Sequence, residues 1–242
     1  MEVTNYLLGY KNLHIVQNTQ MFNFSLDSVL LPKFISINKN INKILDIGCG
    51  NAPIPLIMST MTSAEIIGVE IQKEIYDLAI KSVKLNKLEN KISILNRDIN
   101  ELVFELETDS FDIITCNPPF FKVDDKSIFN QNEQLTIARH EVKLNIDQVL
   151  KISKKLLKNN GVLGIVHRPE RLTDILMSMR ENNIEPKKIQ YVYPRKDKDA
   201  KVLLIEGRKN GKPGLKVLPP LFVHKKDGSY TKVIIKKYFE DK

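Results

Sequence analysis

The chain has 242 residues, of which 42% are apolar, so it is long enough to bury one sizeable core in a single large domain. No apolar stretch approaches the ~20 residues that cross a bilayer, which argues against a membrane protein. Residues 1–6 lack the basic and apolar regions of a secretory signal. Two cysteines, Cys49 and Cys116, form neither a disulfide framework nor a zinc motif, so we expect a cytoplasmic protein.

The formal net charge of +8 is concentrated at one end of the chain. Residues 187–242 contain 16 Lys and Arg against 6 Asp and Glu, a net charge of +10, whereas residues 1–186 carry −2. Such a surplus indicates a polyanionic partner, nucleic acid in particular. A lysine-rich composition imposed by an AT-rich genome is the alternative, but it would not confine the surplus to one quarter of the chain.

Short apolar strands alternate with helices along most of the chain. Residues 11–25 predict a short strand or hairpin that leads into an apolar helix at 27–31. Strands are then predicted at 43–47, 65–69, 91–96, 111–115, 162–166, 189–193 and 202–206, and helices at 53–60, 73–86, 146–157 and 170–181. The helix at 146–157 is expected to end at a left-handed stop near residues 159–161. Residues 211–238 predict a tail with one hairpin turn at 225–228.

This alternation predicts an α/β domain with a mostly parallel sheet and helices on both faces. The last two strands are joined by residues 194–200 only, which is too short for a helical crossover, so they must pair antiparallel. We expect one domain over residues 1–242, with an N-terminal strand or lid segment at 1–26, a core at 27–210 and a basic tail at 211–242. Ligands bind such sheets beyond the carboxyl ends of the strands.

A glycine turn follows the first predicted core strand, with Asp46, Gly48 and Gly50 in the sequence Asp-Ile-Gly-Cys-Gly-Asn-Ala-Pro. Glycines allow the backbone to approach a ligand closely. A dehydrogenase is disfavoured, because Pro53 replaces the third glycine of a nicotinamide fingerprint and because Asp46 would repel a pyrophosphate. The same carboxylate suits a ligand with ammonium or hydroxyl groups.

Two further carboxylates follow the next two predicted strands. Glu70 lies twenty residues after Gly50, at the position from which a carboxylate commonly binds ribose hydroxyls. Asp98 ends the third strand and is placed to accept a hydrogen bond from an adenine amine. Together with Asp46 they describe a site for a nucleoside with a cationic, phosphate-free tail, and S-adenosylmethionine fits that description. We assign Ile71 and Ile99, which follow two of these carboxylates, to the same cofactor site.

The tetrapeptide Asn117, Pro118, Pro119 and Phe120 directly follows the apolar run 111–116, which predicts a buried strand. The Asn117 carbonyl can accept one N–H and a carbonyl held by the rigid prolines can accept another, while the Phe120 ring stacks on a planar group. This predicts a clamp for a planar group that bears an NH2, either the exocyclic amine of a base or a side-chain amide. An ordinary strand-terminating turn is the alternative.

The glycine turn, the carboxylates Glu70 and Asp98, and the Asn-Pro-Pro-Phe segment together resemble the motifs of the amino-methylating branch of the Rossmann-like class I methyltransferases. Segments 25–31, 138–141, 167–171 and 207–213 resemble the bacterial tRNA (adenine-N6)-methyltransferases, which modify the adenosine beside the anticodon of a valine tRNA. The resemblance implies a seven-stranded sheet with an antiparallel last strand over roughly residues 25–206. It also implies methyl transfer from S-adenosylmethionine, with S-adenosylhomocysteine as product and no metal, to N6 of adenosine 37 in tRNA.

By the same resemblance, Asn117 Oδ1 and the Pro118 carbonyl accept the two N6 hydrogens, Asn117 also borders the cofactor, and Phe120 stacks on a base extruded from its RNA. Residues 122–136 are either a substrate-gating loop or a plain surface loop. One departure from the family pattern is Ala52, where many class I enzymes have a third glycine. The candidate phosphate contacts in the basic tail are Arg208, Lys209, Lys212, Lys216, Lys225 and Lys226.

Several further residues have structural interpretations beside functional ones. Asp27 either helps to hold the cofactor or lid or caps a helix. His140 and His167 favour structural roles, and Arg97 a surface ion pair.

The competing functions are a protein glutamine N5-methyltransferase, a DNA adenine methyltransferase and a non-catalytic RNA-binding module. We expect a monomer or a weak homodimer.

Overall fold

The computed structural model describes residues 1–20, 25–38, 40–118 and 144–239. Pro119 and Phe120 of the predicted clamp therefore lie outside the described residues. The same holds for the predicted loop at 122–136 and for His140.

In the described ranges, nine strands form one mixed sheet. They are β3 (Lys43–Ile47), β4 (Glu65–Val69), β5 (Ile92–Leu95), β6 (Phe111–Cys116), β7 (Leu157–His167), β8 (Ile184–Tyr193), β9 (Val202–Lys209), β10 (Lys216–Val217) and β11 (Leu221–Phe222). Their order is β10-β8-β9-β7-β6-β3-β4-β5, and β11 also pairs with β8. The described pairs are parallel except the two that β9 makes, with β7 and β8. The predicted seven-stranded sheet with an antiparallel last strand is confirmed, and β10 and β11 extend it.

The hairpin formed by β8 and β9 is longer than the sequence predicts. Its pairing runs from Ile184 opposite Lys209 to Val192 opposite Val202, with a register shift between Pro186 and Lys188. The predicted segments 189–193 and 202–206 are the parts of the two strands next to their connection, so the sequence pattern misses the more polar ends at 184–188 and 207–209. Backbone pairing along the full length, with β9 inserted between β7 and β8, extends both strands.

Helices cover both faces of the sheet. They are α1 (Leu26–Phe34), α2 (Pro53–Ser59), α3 (Lys73–Leu85), α4 (Ile99–Leu102), α5 (Ile146–Leu156), α6 (Leu172–Glu181) and α7 (Lys232–Tyr238), with a 3₁₀ turn (Pro169–Arg171) before α6. Along β3, Ile44 packs into a core that contains α1, α2 and α3, whereas Leu45 and Ile47 pack into a second core that contains α5 and α6. This alternation is the period-2 pattern of a strand buried on both faces. Among the described helices, none combines the length and apolarity that crossing a bilayer requires.

The predicted left-handed stop after α5 is wrong in its position. The helix ends at Leu156, because Leu157 is already extended and pairs with Phe111 as the first residue of β7. Asn160 does adopt a left-handed backbone, with φ 64°, but it lies inside β7 where the register with β6 shifts. The turn residues thus make an irregularity in the strand instead of ending the helix.

The N-terminal hairpin lies nearer the chain start than predicted, with β1 (Glu2–Tyr6) pairing antiparallel to β2 (His14–Asn18). Its second strand is attached to α3: the Val16 backbone N–H donates to Ser82 Oγ at 3.0 Å, and that of His14 donates to Asn86 Oδ1 at 2.9 Å. The hairpin is therefore fixed against the helix that follows β4.

The C-terminal segment is integrated into the fold and is not an extended tail. Both Ile234 and Tyr238 of α7 are fully buried in the core that α1 also lines. The predicted turn at 225–228 is confirmed, since the Lys225 backbone N–H donates to the Ser229 carbonyl at 2.8 Å and Gly228 has φ 83°. Deleting this segment would expose the core, so a truncated protein would not show what the lysines of the segment bind.

Candidate active site

The parallel strands β3, β4, β5 and β6 end at the same edge of the sheet, which we call the carboxyl edge. The chain first adds β4 and β5 on one side of β3, and then adds β6 on the other side of β3. The junction between β3 and β6, where Ile47 pairs with Cys116, is therefore the topological switch point at which such sheets bind ligands. The structure brings to this edge the predicted polar residues Asp46, Glu70, Asp98 and Asn117.

The glycine turn presents open backbone at this junction. Gly48 and Gly50 have φ values of 67° and 58°, in the left-handed region that favours glycine. A Cβ placed on either residue would meet no atom within 4 Å, so the space beside both is free for a ligand. The backbone conformation therefore favours glycine at both positions, and the open space beside them leaves room for a ligand.

Ala52, at the position where many class I enzymes have a glycine, adopts the left-handed conformation that favours glycine. Its φ is 73°, which costs a non-glycine residue roughly 1–2 kcal/mol, and it precedes Pro53 at the start of α2. The neighbouring Asn51 side chain is buried and donates from Nδ2 to the Val16 carbonyl at 2.9 Å. The N-terminal hairpin therefore holds the turn in place through this hydrogen bond.

Glu70 is fixed by backbone donors at the end of β4. Its Oε2 accepts from the Gly50 N–H at 3.1 Å and its Oε1 from the Gln72 N–H at 2.9 Å, and the residue is only 5% exposed. Each carboxylate oxygen has a second lone pair, so the group can still accept hydrogen bonds from ligand hydroxyls. Asn96 supports the same loop, donating from Nδ2 to the Glu70 and Ile71 carbonyls at 2.9 and 3.1 Å. Sequence reasoning did not identify Asn96.

Asp46 is the most perturbed carboxylate of the site. It is 1% exposed; Thr115 Oγ1 donates to its Oδ1 at 2.6 Å, while its Oδ2 is buried with no partner among the described residues. Burial raises the pKa of Asp46 to about 7, the Thr115 hydrogen bond opposes this rise, and the negative charge of Glu70 adds to it. A buried acceptor without a donor costs about 1–3 kcal/mol, so Oδ2 is set to accept from a ligand.

Asp98 has a clear local role besides its predicted one. It caps α4: Oδ1 accepts from the backbone N–H and from Nδ2 of Asn100, both at 2.9 Å. Its second oxygen is not used by this cap, and the residue is half-buried. Ile99 packs into the core shared with α5 and α6, and Ile71 is half-buried beside Glu70. Ile99 therefore acts chiefly through packing of the loop.

Asn117 ends β6 with its amide held in one orientation. Its Nδ2 donates to Ser28 Oγ at 3.0 Å, and its Oδ1 is buried with no partner among the described residues. Ser28 lies on α1, is 4% exposed and was not identified from the sequence. This bond uses one of the two Nδ2 hydrogens and fixes the plane of the amide. The buried carbonyl oxygen, which has no partner among the described residues, requires an N–H or O–H donor. The adjacent Pro118 is buried.

The start of α1 corrects the interpretation of Asp27 as a helix cap. Ser25 is the residue that precedes the helix, and Asp27 lies in its first turn, with Oδ2 accepting from Ser25 Oγ at 3.0 Å. Burial raises the pKa of Asp27, whereas the Ser25 hydrogen bond and the charge of Arg168 lower it.

The remaining histidine and arginine candidates of the described residues are structural. His167 is buried, and its Nδ1 accepts from the Arg168 backbone N–H at 2.9 Å. Burial first, and then the positive charge of Arg171, lower the pKa of His167 to about 4, so it is neutral near pH 7. Arg97 forms the expected surface ion pair, with Glu105.

Cys49 and Cys116 are both buried free thiols at the ends of neighbouring strands. Burial, followed by the charge of Asp46, raises the pKa of each, so neither is an activated nucleophile. Within the described ranges, no group of three or more His, Cys, Asp or Glu side chains is arranged to hold a metal ion.

The structure does not bring the six predicted RNA contacts together. Arg208 and Lys209 lie at the edge opposite the site, because β9 is antiparallel and Arg208 pairs with Val162 near the start of β7. Both stabilise the fold there: Arg208 Nη1 donates to the Asn160 carbonyl at 3.0 Å, and Lys209 Nζ to that of Leu157 at 2.9 Å. Lys212 and Lys216 are exposed in the segment before β11, whereas Lys225 and Lys226 lie beyond it, at the carboxyl edge.

Comparison with known proteins gives the fold and the family. Residues 38–207 match the model of a family described as "Methyltransferase domain". Among solved structures, a predicted O-methyltransferase from Agrobacterium tumefaciens superposes with a TM-score of 0.67 at 18% identity, over 86% of this chain and 93% of that one. A geranyl diphosphate C-methyltransferase from Streptomyces coelicolor, in complex with S-adenosyl-L-homocysteine, gives a TM-score of 0.57 at 10% identity, over 75% of this chain and 79% of that one.

Several curated relatives carry the name tRNA1(Val) (adenine(37)-N6)-methyltransferase. The protein of that name from Flavobacterium psychrophilum is 30% identical over 161 residues, 66% of this chain and 67% of the relative. Those from Parabacteroides distasonis and Aliivibrio salmonicida are 28% and 26% identical, and the latter match covers 90% of each chain. The chain therefore belongs to the methyltransferase domain family and, within it, to the family of the tRNA1(Val) (adenine(37)-N6)-methyltransferases.

Proposed function

We propose that this protein transfers a methyl group from S-adenosylmethionine to the exocyclic N6 of an adenosine in tRNA, at position 37 beside the anticodon of a valine tRNA. The product of the donor is S-adenosylhomocysteine. The observation that carries the proposal is the buried Asn117 Oδ1, which lies one strand away from the open glycine turn and from Asp46 Oδ2; neither oxygen has a partner among the described residues. The curated relatives' shared name supports the choice of RNA and of position.

The residues at the ends of β3 and β4 fit the methyl donor. Open space beside Gly48 and Gly50 admits a close ligand, and Asp46 Oδ2 is an anionic acceptor suited to an ammonium or hydroxyl group. Glu70 would accept from the ribose hydroxyls, and Asp98 from the adenine amine. When bound there, S-adenosylmethionine supplies an electrophilic methyl group on a cationic sulfur.

Asn117 would act on the acceptor by positioning. Its Oδ1 accepts one N6 hydrogen of the target adenine and the Pro118 carbonyl accepts the other, which directs the nitrogen lone pair toward the methyl donor. The hydrogen bond to Ser28 fixes the orientation of the Asn117 amide, with Nδ2 on the Ser28 side. Holding the reacting atoms in line lowers the barrier without a strong base, which agrees with the neutral, buried His167 and the inert thiols. Position 37 lies in a stacked loop, so the base must be extruded at a cost of a few kcal/mol.

A protein glutamine N5-methyltransferase is the second candidate, because a side-chain amide offers the same NH2 group to Asn117. The basic C-terminal quarter of the chain, with its net charge of +10, favours RNA. A non-catalytic RNA-binding module would not need Asp46 and Asn117 each to keep a buried oxygen that no described residue satisfies. A cytoplasmic location follows from a tRNA substrate, and a monomer or weak homodimer remains our prediction.

Nucleoside mass spectrometry tests the proposal directly. Unmodified valine tRNA is incubated with the protein and methyl-labelled S-adenosylmethionine, digested and analysed; we expect labelled N6-methyladenosine. A transcript with guanosine at position 37 is the matched control and should remain unlabelled. Label in N6-methyladenosine from the control transcript would refute the position. Label in a glutamine-containing protein and none in RNA would establish the second candidate.

A further inference from the structure

Beyond β6, the carboxyl edge continues through β7, β9, β8 and β11. This half of the edge differs in charge from the half formed by β3, β4 and β5. Segment 168–171 follows β7, segment 194–201 connects β8 to β9, and segment 225–228 comes after β11. The register puts all three at the same edge as Asn117: His167 at the end of β7 pairs with Leu203 at the start of β9, and Phe222 pairs with Tyr193 at the end of β8.

Hydrogen bonds join the three segments into one continuous surface. Arg168 Nη1 donates to the Lys201 carbonyl at 3.3 Å, which links the first segment to the second. The His224 backbone N–H donates to the Pro194 carbonyl at 2.9 Å, which links the second segment to the third. We call this surface the basic face, and its cations are Arg168, Arg171, Arg195, Lys196, Lys198, Lys201, Lys225 and Lys226.

The basic face has a net positive charge available to a ligand. Its three segments contain eight basic residues against four acidic ones. Arg171 pairs with Asp174 and Arg195 pairs with Asp197. Solvent-exposed ion pairs of this kind are weak, so both arginines can exchange these partners for a ligand phosphate. Within these three segments, five exposed lysines form no ion pair with a described residue: Lys196, Lys198, Lys201, Lys225 and Lys226.

Aromatic rings lie among these cations. Tyr193 and Phe222 form a tilted pair with ring centroids 5.3 Å apart, and His224 stacks on Tyr230 at 4.9 Å. All four residues are half-buried, so part of each is exposed to solvent. Cations interleaved with partly exposed rings suit single-stranded RNA, whose phosphates pair with Lys and Arg and whose unstacked bases lie on aromatic faces.

The basic face has the extent that an RNA stem-loop needs. Four strand-to-strand steps separate β6, which holds Asn117, from β11. At about 4.8 Å a step, this places the third segment roughly 19 Å from the proposed clamp. An RNA loop bound across the face would therefore bring one extruded base to Asn117 while its flanking phosphates remained on the cations.

We propose that the basic face is the surface that binds the anticodon stem-loop of the tRNA, and that Arg208, Lys209, Lys212 and Lys216 contribute little. The inference rests on the proposed function, since it takes RNA to be the substrate. The charge surplus of the sequence is thereby divided in two: the cations at the carboxyl edge bind RNA, and Arg208 and Lys209 at the opposite edge stabilise the end of the sheet.

A pair of double charge reversals tests the proposal. K225E/K226E changes the basic face, and K212E/K216E, with the same change in net charge and also in exposed C-terminal lysines, is the matched control. Affinity for unmodified valine tRNA is measured by fluorescence anisotropy at several salt concentrations, without methyl donor. We expect K225E/K226E to weaken binding about 10–100-fold and to reduce the salt slope by about 2, and the control to change affinity less than about threefold.

A second reversal on the neighbouring segment, K198E/K201E, should behave as K225E/K226E does, and thermal unfolding verifies that each variant is folded. Equal weakening by the control, or weakening by the control alone, would overturn the proposal, as would wild-type protein that binds no tRNA. Wild-type protein that binds tRNA through this face but methylates no RNA would support the basic face and refute the proposed function.

Discussion

The two halves of the carboxyl edge carry charges of opposite sign, and the charges are buried in one half and exposed in the other. On the β3, β4 and β5 side, Asp46 and Glu70 are buried and each has at least one oxygen held by a protein donor. On the β7, β8, β9 and β11 side, lysines such as Lys198 and Lys225 are exposed. Buried charges act strongly at short range on one small ligand, whereas exposed charges are screened and attract a large polyanion through their number. Asn117 lies at the boundary between the halves.

The largest effect should come from the boundary residue. Asn117→Ala removes the acceptor for the substrate NH2, and we expect kcat to fall about 10²–10³-fold, the loss typical of one preorganised polar contact. Affinity for S-adenosylmethionine and for tRNA should change little, as measured by calorimetry and anisotropy. Asn159→Ala, at the exposed start of β7 on the opposite edge, is the control and should retain activity. Full activity of Asn117→Ala would disprove the clamp.

A change confined to the acidic half should separate the two ligands. Asp46→Asn replaces a buried anionic acceptor, so we expect S-adenosylmethionine affinity to fall about 10–100-fold, the equivalent of one charged hydrogen bond. Binding of tRNA should be unaffected, since Asp46 is buried and does not belong to the basic face. Glu65→Gln, an exposed carboxylate at the other end of β4, is the control. A comparable loss of tRNA affinity in Asp46→Asn would show that the two halves do not act separately.

The orientation of the Asn117 amide should depend on Ser28. Ser28→Ala removes the acceptor for Asn117 Nδ2, and we expect kcat to fall about 3–10-fold while the KM for S-adenosylmethionine is unchanged, in line with the loss of one neutral hydrogen bond. Ser28→Thr, which keeps the hydroxyl, should restore most of the activity. Ser153→Ala, at a fully buried helical serine of α5, is the matched control and should leave kcat unaltered. A KM effect without a kcat effect would assign Ser28 to packing.

The smallest effect concerns the protonation of Asp46. Its folded-state pKa of about 7 is above the ordinary value of 3.8, so the folded protein holds a proton between these pH values that the unfolded chain has released. The associated stability is present at low pH and is lost as pH rises through 7. We expect the free energy of unfolding to fall by roughly 1 kcal/mol more from pH 6 to pH 8 in the wild type than in Asp46→Asn, measured by urea titration. Identical pH slopes would contradict the raised pKa.

Much of the fold was predictable because local patterns determine it. Apolar runs of strand length, bounded by turns, placed the core strands such as β3 and β4 at their observed bounds. The short 194–200 connection forced β8 and β9 to pair antiparallel, as they do. The polar ends of those strands and the early end of α5 were missed, because pairing with a neighbouring strand determines them and no local pattern reports it.

The sequence by itself determined the chemistry at the strand ends, since Asp46, Gly48, Gly50, Glu70 and Asn117 follow strands that the pattern identifies. Only the tertiary structure decided which distant residues complete the site. Ser28, Thr115 and Asn96 meet these residues through contacts across elements, and no sequence pattern assigns them that role. The same holds for charge. Composition shows that cations are abundant near the C-terminus, but the antiparallel course of β9 sends Arg208 and Lys209 to one edge of the sheet and leaves Lys225 and Lys226 at the other.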